Sequence, residues 1–247
     1  MTPVLSVEGL IKTYPGFRLG PLSFQVEAGS IMGFIGRNGA GKTTALKSVL
    51  NVVHPDAGSI RYFGETLSGN ERSVKERVGY AGGAVDYYPR KKICDIVEVT
   101  RGFYGNWDDA AYRKYMEIFS LDPQKTPREL SEGMKVKLNL AIALSHRAEL
   151  LILDEPTSGL DPVSREELLE IFLALKERGV AILFSTHITS DLEKCADHIT
   201  YIRRGELVAS EAMETFLSSR GTRGEGNGLE EIMIRCEKED YREKLAE

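Results

Sequence analysis

Nine consecutive residues, Gly36-Arg37-Asn38-Gly39-Ala40-Gly41-Lys42-Thr43-Thr44, have the types and spacing to hold a polyphosphate. Glycines at the first and sixth places let the backbone N–H groups wrap an anion where a side chain would clash. Lys42 then neutralises the outer phosphates, and the Thr43 hydroxyl is placed for Mg²⁺. All nine residues form the candidate nucleotide-binding set. A second chemistry-bearing pair, Asp154-Glu155, closes the apolar run Leu150-Leu151-Ile152-Leu153. Of two adjacent carboxylates, Asp154 is suited to bind Mg²⁺ through water and Glu155 to act as general base on an attacking water. A third run, Val180-Ala181-Ile182-Leu183-Phe184, ends in Ser185-Thr186-His187, whose imidazole can reach a γ-phosphate or serve as a hydrogen-bonded strand end.

These residues need a scaffold that brings three strand ends together. Continuous apolar runs of this length read as strands of a parallel sheet buried on both faces, and open α/β sheets place their ligands at the strands' C-terminal ends. Ile31-Met32-Gly33-Phe34-Ile35 precedes the phosphate loop, and the helical pattern from Lys42 aims its positive end at the anion. Residues 1–30 and about 58–81 carry short alternating strands with glycine turns, an expected antiparallel sheet beside the nucleotide. Residues about 86–146 read as mostly helical, with stops at Asp122-Pro123 and Thr126-Pro127. The expected fold is therefore α/β: a P-loop NTPase core sheet with an antiparallel β lobe and an inserted α-helical lobe. One domain is expected over 1–217. Residues 218–247 read as a flexible linker, centred on the glycine-rich stretch 219–228, and a short charged tail that is partly helical.

Between the first and second chemical groups lies Leu130-Ser131-Glu132-Gly133-Met134 at the head of an amphipathic pattern over 135–145. With this pentapeptide, the loop, the carboxylate pair, Ser158-Gly159-Leu160-Asp161 and His187 in that order, the chain resembles the ATPase subunit of an ATP-binding-cassette (ABC) transporter over about residues 1–215. The run Asp-Pro-Val-Ser-Arg-Glu-Glu-Leu after Leu160 is similar to subunits of exporters. The resemblance implies ATP and Mg²⁺ as ligands, and Tyr14 as the aromatic that stacks on adenine, beside the plainer role of a turn tyrosine packed on the core. It implies two ATPase domains, identical or different, packed head to tail. Each ATP would then sit between one loop and the other's signature, touched by Ser131 and Gly133. Asp161 would communicate across that interface while also capping the helix that starts at Pro162. Integral membrane permease subunits are the further implied partners, and the region 86–146 would receive a helix from them. Its aromatics Tyr87, Tyr88, Phe103, Tyr104 and Trp107 suit either that contact or core packing.

Three positions depart from the family pattern. Glu132 stands for a glycine, Met134 for a glutamine, and Gly83 for the glutamine that touches Mg²⁺ and the water. A carboxylate aimed at phosphate would repel it, so Glu132 is expected to face outward. Composition narrows the class further. The 247 residues with 42% hydrophobic content support one sizeable core, and the three separated cysteines fit a reducing cytoplasm. A net charge of −5 argues against a nucleic-acid surface, and Arg90-Lys91-Lys92 reads as a solvated face. The sequence shows no apolar run of membrane-spanning length and no signal peptide, so a cytoplasmic subunit held at the inner face of the membrane through permease subunits is expected. The alternative from another class is a soluble ABC ATPase acting as a switch on DNA or ribosomes. Such proteins carry coiled-coil insertions, fused cassettes or basic surfaces, which are not seen here. A P-loop kinase or small GTPase leaves the signature and Ser158 to Asp161 unexplained.

Overall fold

The computed structural model describes residues 3–82, 88–221 and 228–246, with side chains as far as 238. Its larger sheet has six strands in the order Glu206–Ala212, His198–Arg203, Ile31–Ile35, Ala181–Thr186, Leu150–Asp154 and Val78–Gly82. Every neighbouring pair is parallel except Glu206–Ala212 with His198–Arg203. The three middle strands are buried almost throughout, as their unbroken apolar sequences require.

Alternation along these strands splits the core in two. Ile31, Ile35, Leu151, Leu153, Ile182 and Phe184 face one layer of helices, where Phe184 packs on Phe172 with ring centres 5.6 Å apart. Met32, Phe34, Leu150, Ile152 and Leu183 face the other way, toward helix Lys42–Val49 and a second sheet, with Phe34 on Phe24 at 5.3 Å. That second sheet is antiparallel, in the order Phe17–Val26, Leu5–Tyr14, Ala57–Tyr62, Glu65–Thr66. Each fully buried phenylalanine contributes about 2–3 kcal/mol of transfer free energy, enough to hold the phosphate-loop helix rigidly between the sheets.

The antiparallel lobe is smaller than its expected span. Residues Glu71–Glu76 are helical, and Val78–Gly82 joins the core sheet beside Leu150–Asp154, parallel to it. Its short half-buried pattern resembles an exposed edge of either sheet, and only the pairing partner decides. The helical lobe follows the expected stops, with helices Ile93–Arg101, Asp109–Ile118 and Glu132–Ser145 and a 3₁₀ turn at Pro127–Glu129. Gly83 and Tyr87 lie outside the described residues, as do 222–227 of the glycine-rich stretch. The division expected near 218 falls inside helix Met213–Arg220, so Ser219 and Arg220 are helical. The segment read as a charged tail forms helix Leu229–Ala246, and its Leu229, Ile232 and Met233 belong to the main core. Spaced at i, i+3 and i+4, these three present one apolar stripe to the domain.

Candidate functional site

The loop 36–44 leaves the C-terminal end of Ile31–Ile35, and the register places Ile35 beside Thr186 while Asp154 lies beside Ser185. Three groups far apart in sequence therefore share one sheet edge: the phosphate loop, His187 and the carboxylate pair. Of these, most of the loop, Glu155 and His187, together with Phe17 and Ser158, line a cleft of about 450 Å³, a size that suits a small-molecule ligand.

Local geometry accounts for the loop's glycines. A side chain on Gly36 would put its Cβ 2.5 Å from the Ile202 carbonyl oxygen. Gly41 has φ +107°, and a Cβ there would lie 2.7 Å from Leu19. The protein's own walls thus exclude side chains at both, before any phosphate is considered. Helix Lys42–Val49 begins at Gly41 with no side-chain cap, so its first N–H groups remain to meet an anion. Lys42 is 5% exposed. Its Nζ donates to the Gly36 carbonyl at 2.8 Å and lies 3.1 Å from Glu155 Oε1. Thr43 and Thr44 line the cleft with Arg37, Asn38 and Gly39, whereas Ala40 is buried beneath the loop.

Glu155 is held in place from both sides. Its backbone has φ +52°, a conformation costing a non-glycine residue about 1–3 kcal/mol. Its N–H donates to the Ser185 carbonyl at 3.0 Å and lies 3.2 Å from Ser185 Oγ. The other carboxylate oxygen, Oε2, is 2.8 Å from His187 Nδ1, which must carry the proton because an ionised carboxylate only accepts. Ser185 Oγ donates to Asp154 Oδ1 at 2.5 Å, so one buried serine positions both carboxylates. That role was not read from sequence, although Ser185 stands in the quoted Ser185-Thr186-His187. Phe17 was missed as well, opening strand Phe17–Val26 just after the Pro15-Gly16 turn with no motif to mark it.

The remaining expected residues lie elsewhere. Tyr14 is 39% exposed, pairs in register with Phe17 and has the Lys12 ammonium 5.7 Å from its ring centre, but does not line the cleft. Ser131 caps helix Glu132–Ser145 by accepting from the Met134 N–H at 3.3 Å. Glu132 faces solvent and pairs with Lys135 at 2.6 Å. Gly133 is buried, with Leu160 and Ser164 over its α-carbon. Asp161 caps helix Pro162–Glu177 through the N–H groups of Val163 and Ser164, and takes the Ser164 hydroxyl at 2.6 Å. These bonds, the Ser164 hydroxyl first, hold its carboxyl below the ordinary aspartate range. Neither Ser131, Gly133 nor Asp161 lines the phosphate cleft of its own chain.

A larger groove of about 570 Å³ lies between the antiparallel and helical lobes. Tyr62, Tyr80, Tyr104, Asn139 and His146 line it, with Tyr104 stacked on His146 at 3.9 Å. Burial there holds the His146 imidazole below its ordinary pKa. The lobe's aromatics divide between the two expected roles: Trp107 packs against Tyr112 on the core, whereas Tyr88 and Phe103 are 75% and 71% exposed.

A family model described as "ABC transporter" matches residues 19–158. The bacitracin transport ATP-binding protein BcrA of Bacillus licheniformis is 35% identical over 212 residues, covering 84% of this chain and 69% of that protein. The Nod factor export ATP-binding protein I of Burkholderia lata is 36% identical over 203 residues, covering 80% and 67%. The chain spans 61 to 69% of the length of such curated relatives. Among solved structures, an ATP-binding subunit of an ABC transporter superposes with a TM-score of 0.83 at 28% identity, covering 94% of this chain and 98% of that one.

Proposed function

This chain belongs to the ABC transporter family of ATPase subunits, and we propose that it drives an exporter by hydrolysing ATP in a head-to-tail pair of such domains. The observation that carries the reading is the meeting of Lys42, Glu155 and His187 in one cleft where three strands end. The loop N–H groups and the start of helix Lys42–Val49 hold the phosphates. Lys42, already desolvated, exchanges its Glu155 partner for the γ-phosphate. Glu155, kept in orientation by His187 Nδ1–H and Ser185, then accepts the proton of the attacking water. Tyr14 stacks on adenine, and Phe17 adds an apolar wall beside it.

The oxygen donors at the cleft fit Mg²⁺. Thr43 presents a hydroxyl, and Ser185 holds Oδ1 of Asp154 so that Oδ2 can turn to a hydrated cation. Bound there, Mg²⁺ supplies charge neutralisation for the phosphates. Among the described residues no group of three His, Cys, Asp or Glu could hold a metal ion.

Ser131, at a helix start with N–H groups still to satisfy, and Asp161 complete a second chain's site rather than their own. The groove lined by Tyr104 and His146 receives a helix of the membrane permease. No helix among the described residues is long and apolar enough to cross a membrane, so the chain reaches the inner face through that partner. The name of one relative, Nod factor export, supports the outward direction. Purification of the Glu155→Gln protein with ATP from native membranes tests the whole reading. The expected product is a dimer holding ATP together with a multi-spanning protein. A monomer that binds ATP with no membrane partner would instead favour a soluble switch protein.

A further inference from the structure

Helix Leu229–Ala246, for which the sequence offered no role, reaches the nucleotide cleft. Its start is fixed by the burial of Leu229, Ile232 and Met233, and the Leu229 N–H donates to the Glu193 carboxylate. Two turns on, the Cys236 carbonyl accepts from Arg203 Nη1 at 2.8 Å. Glu237 Oε1 accepts from the hydroxyl of the fully buried Tyr201 at 3.0 Å. Its other oxygen, Oε2, stands 3.5 Å from Nη1 of Arg37. Arg37 is the second residue of the phosphate loop and lines the cleft. The loop's chemistry requires glycines, a lysine and a hydroxyl but no charge at this place. A carboxylate anchored by the core through Tyr201 thus neutralises a guanidinium at the rim of the nucleotide site.

We propose that Glu237 is a positioning residue for the nucleotide, holding the Arg37 guanidinium at the rim of the phosphate loop and limiting how far it serves the phosphates of ATP. This rests on the ATP-binding reading above. Arg37 is largely exposed, so phosphate and Glu237 compete for it under solvent screening, and the coupling is modest. Reciprocity then requires that bound ATP loosen the contact between loop and C-terminal helix. Neutralising Glu237 while keeping its acceptor for Tyr201 leaves Arg37 to the phosphates.

The test is a double-mutant cycle by calorimetry with Mg-ATP on the full chain: wild type, Glu237→Gln, Arg37→Ala and the pair, each in low and high salt. Glu237→Gln should bind ATP about two- to fivefold more tightly, with KM falling and kcat nearly unchanged. The gain should shrink in 0.5 M salt, roughly as screening dictates, and vanish on the Arg37→Ala background. An equal gain on that background would overturn the proposal, since it would reflect bulk repulsion rather than Arg37. Unchanged affinity with a lower melting temperature would also overturn it, leaving Glu237 a structural anchor only. Absence of ATP binding by wild type would remove the proposed function itself and this inference with it.

Discussion

The phosphate-loop edge and the signature helix start both begin a helix whose first N–H groups face outward from a strand end or a cap, yet their side chains are held to different degrees. At the loop, the charged groups meet partners across long sequence distances: Lys42 with Glu155, Glu155 with His187, Asp154 with Ser185. At the signature, the partners are local, with Ser131 serving Met134, Glu132 serving Lys135 and Asp161 serving Ser164. The first region is a concave site; the second presents an exposed Ser131 beside Gly133, which Leu160 and Ser164 cover. The half of a site that performs the chemistry must be preorganised by its own core. The half proposed to be offered to a second chain needs only a stable, correctly shaped surface, and the local caps supply that.

The loop side should fail hardest when cut. Lys42→Ala is expected to abolish turnover and the ATP-induced rise in melting temperature, while Arg90→Ala, on the exposed basic turn, leaves both unchanged. A normal thermal shift in Lys42→Ala would show that the loop holds nucleotide by its backbone alone. Glu155→Gln should retain ATP while slowing hydrolysis by on the order of 10². Because the amide no longer neutralises Lys42, the nucleotide-free variant should also melt lower and regain more on adding ATP. Hydrolysis equal to wild type would hand the base role to another group.

On the signature side the same chemistry should separate from stability. Aspartate caps helices as well as serine does, so Ser131→Asp should melt within a degree or two of wild type and bind ATP normally as an isolated subunit. Its carboxylate would nevertheless stand where a partner's phosphate is expected, and turnover should fall about tenfold. Full turnover would break the contrast between the two regions. The smallest effect concerns Asp161, whose carboxyl is held below its ordinary range by Ser164. Stability from a depressed carboxylate is present above its unfolded pKa of about 4 and is lost as pH falls through the folded value. The melting advantage of wild type over Asp161→Asn should therefore shrink on acidification below about pH 4, and an advantage independent of pH would mean that shape alone makes the cap.

The same contrast explains what sequence could disclose. The placement of Glu155 and His187 together was legible because parallel strands appear as unbroken apolar runs whose C-terminal ends share one edge. Asp161 was legible because a cap is written beside its helix. Val78–Gly82 was placed in the wrong sheet, since an edge strand of half-buried residues carries no mark of its partner. Ser185 and Glu237 act through contacts 30 and 200 residues away in the chain, which no local pattern encodes. The docking of helix Leu229–Ala246 had a visible signal in Leu229, Ile232 and Met233, but charged neighbours and a glycine-rich approach masked it.

The strand that leads into the phosphate loop lies between Ala181–Thr186 and His198–Arg203, both made much later in the chain. On a ribosome adding 5–20 residues per second, Ile31–Ile35 would wait roughly 10 to 30 s for its second neighbour. For most of that interval, until Ala181–Thr186 is made, an unbroken apolar strand has both edges unpaired in a growing polypeptide, the condition that invites aggregation or chaperone capture. The nucleotide site thus assembles only after Arg203 has been made, and ATP binding would report that the sheet as far as that strand is correctly folded.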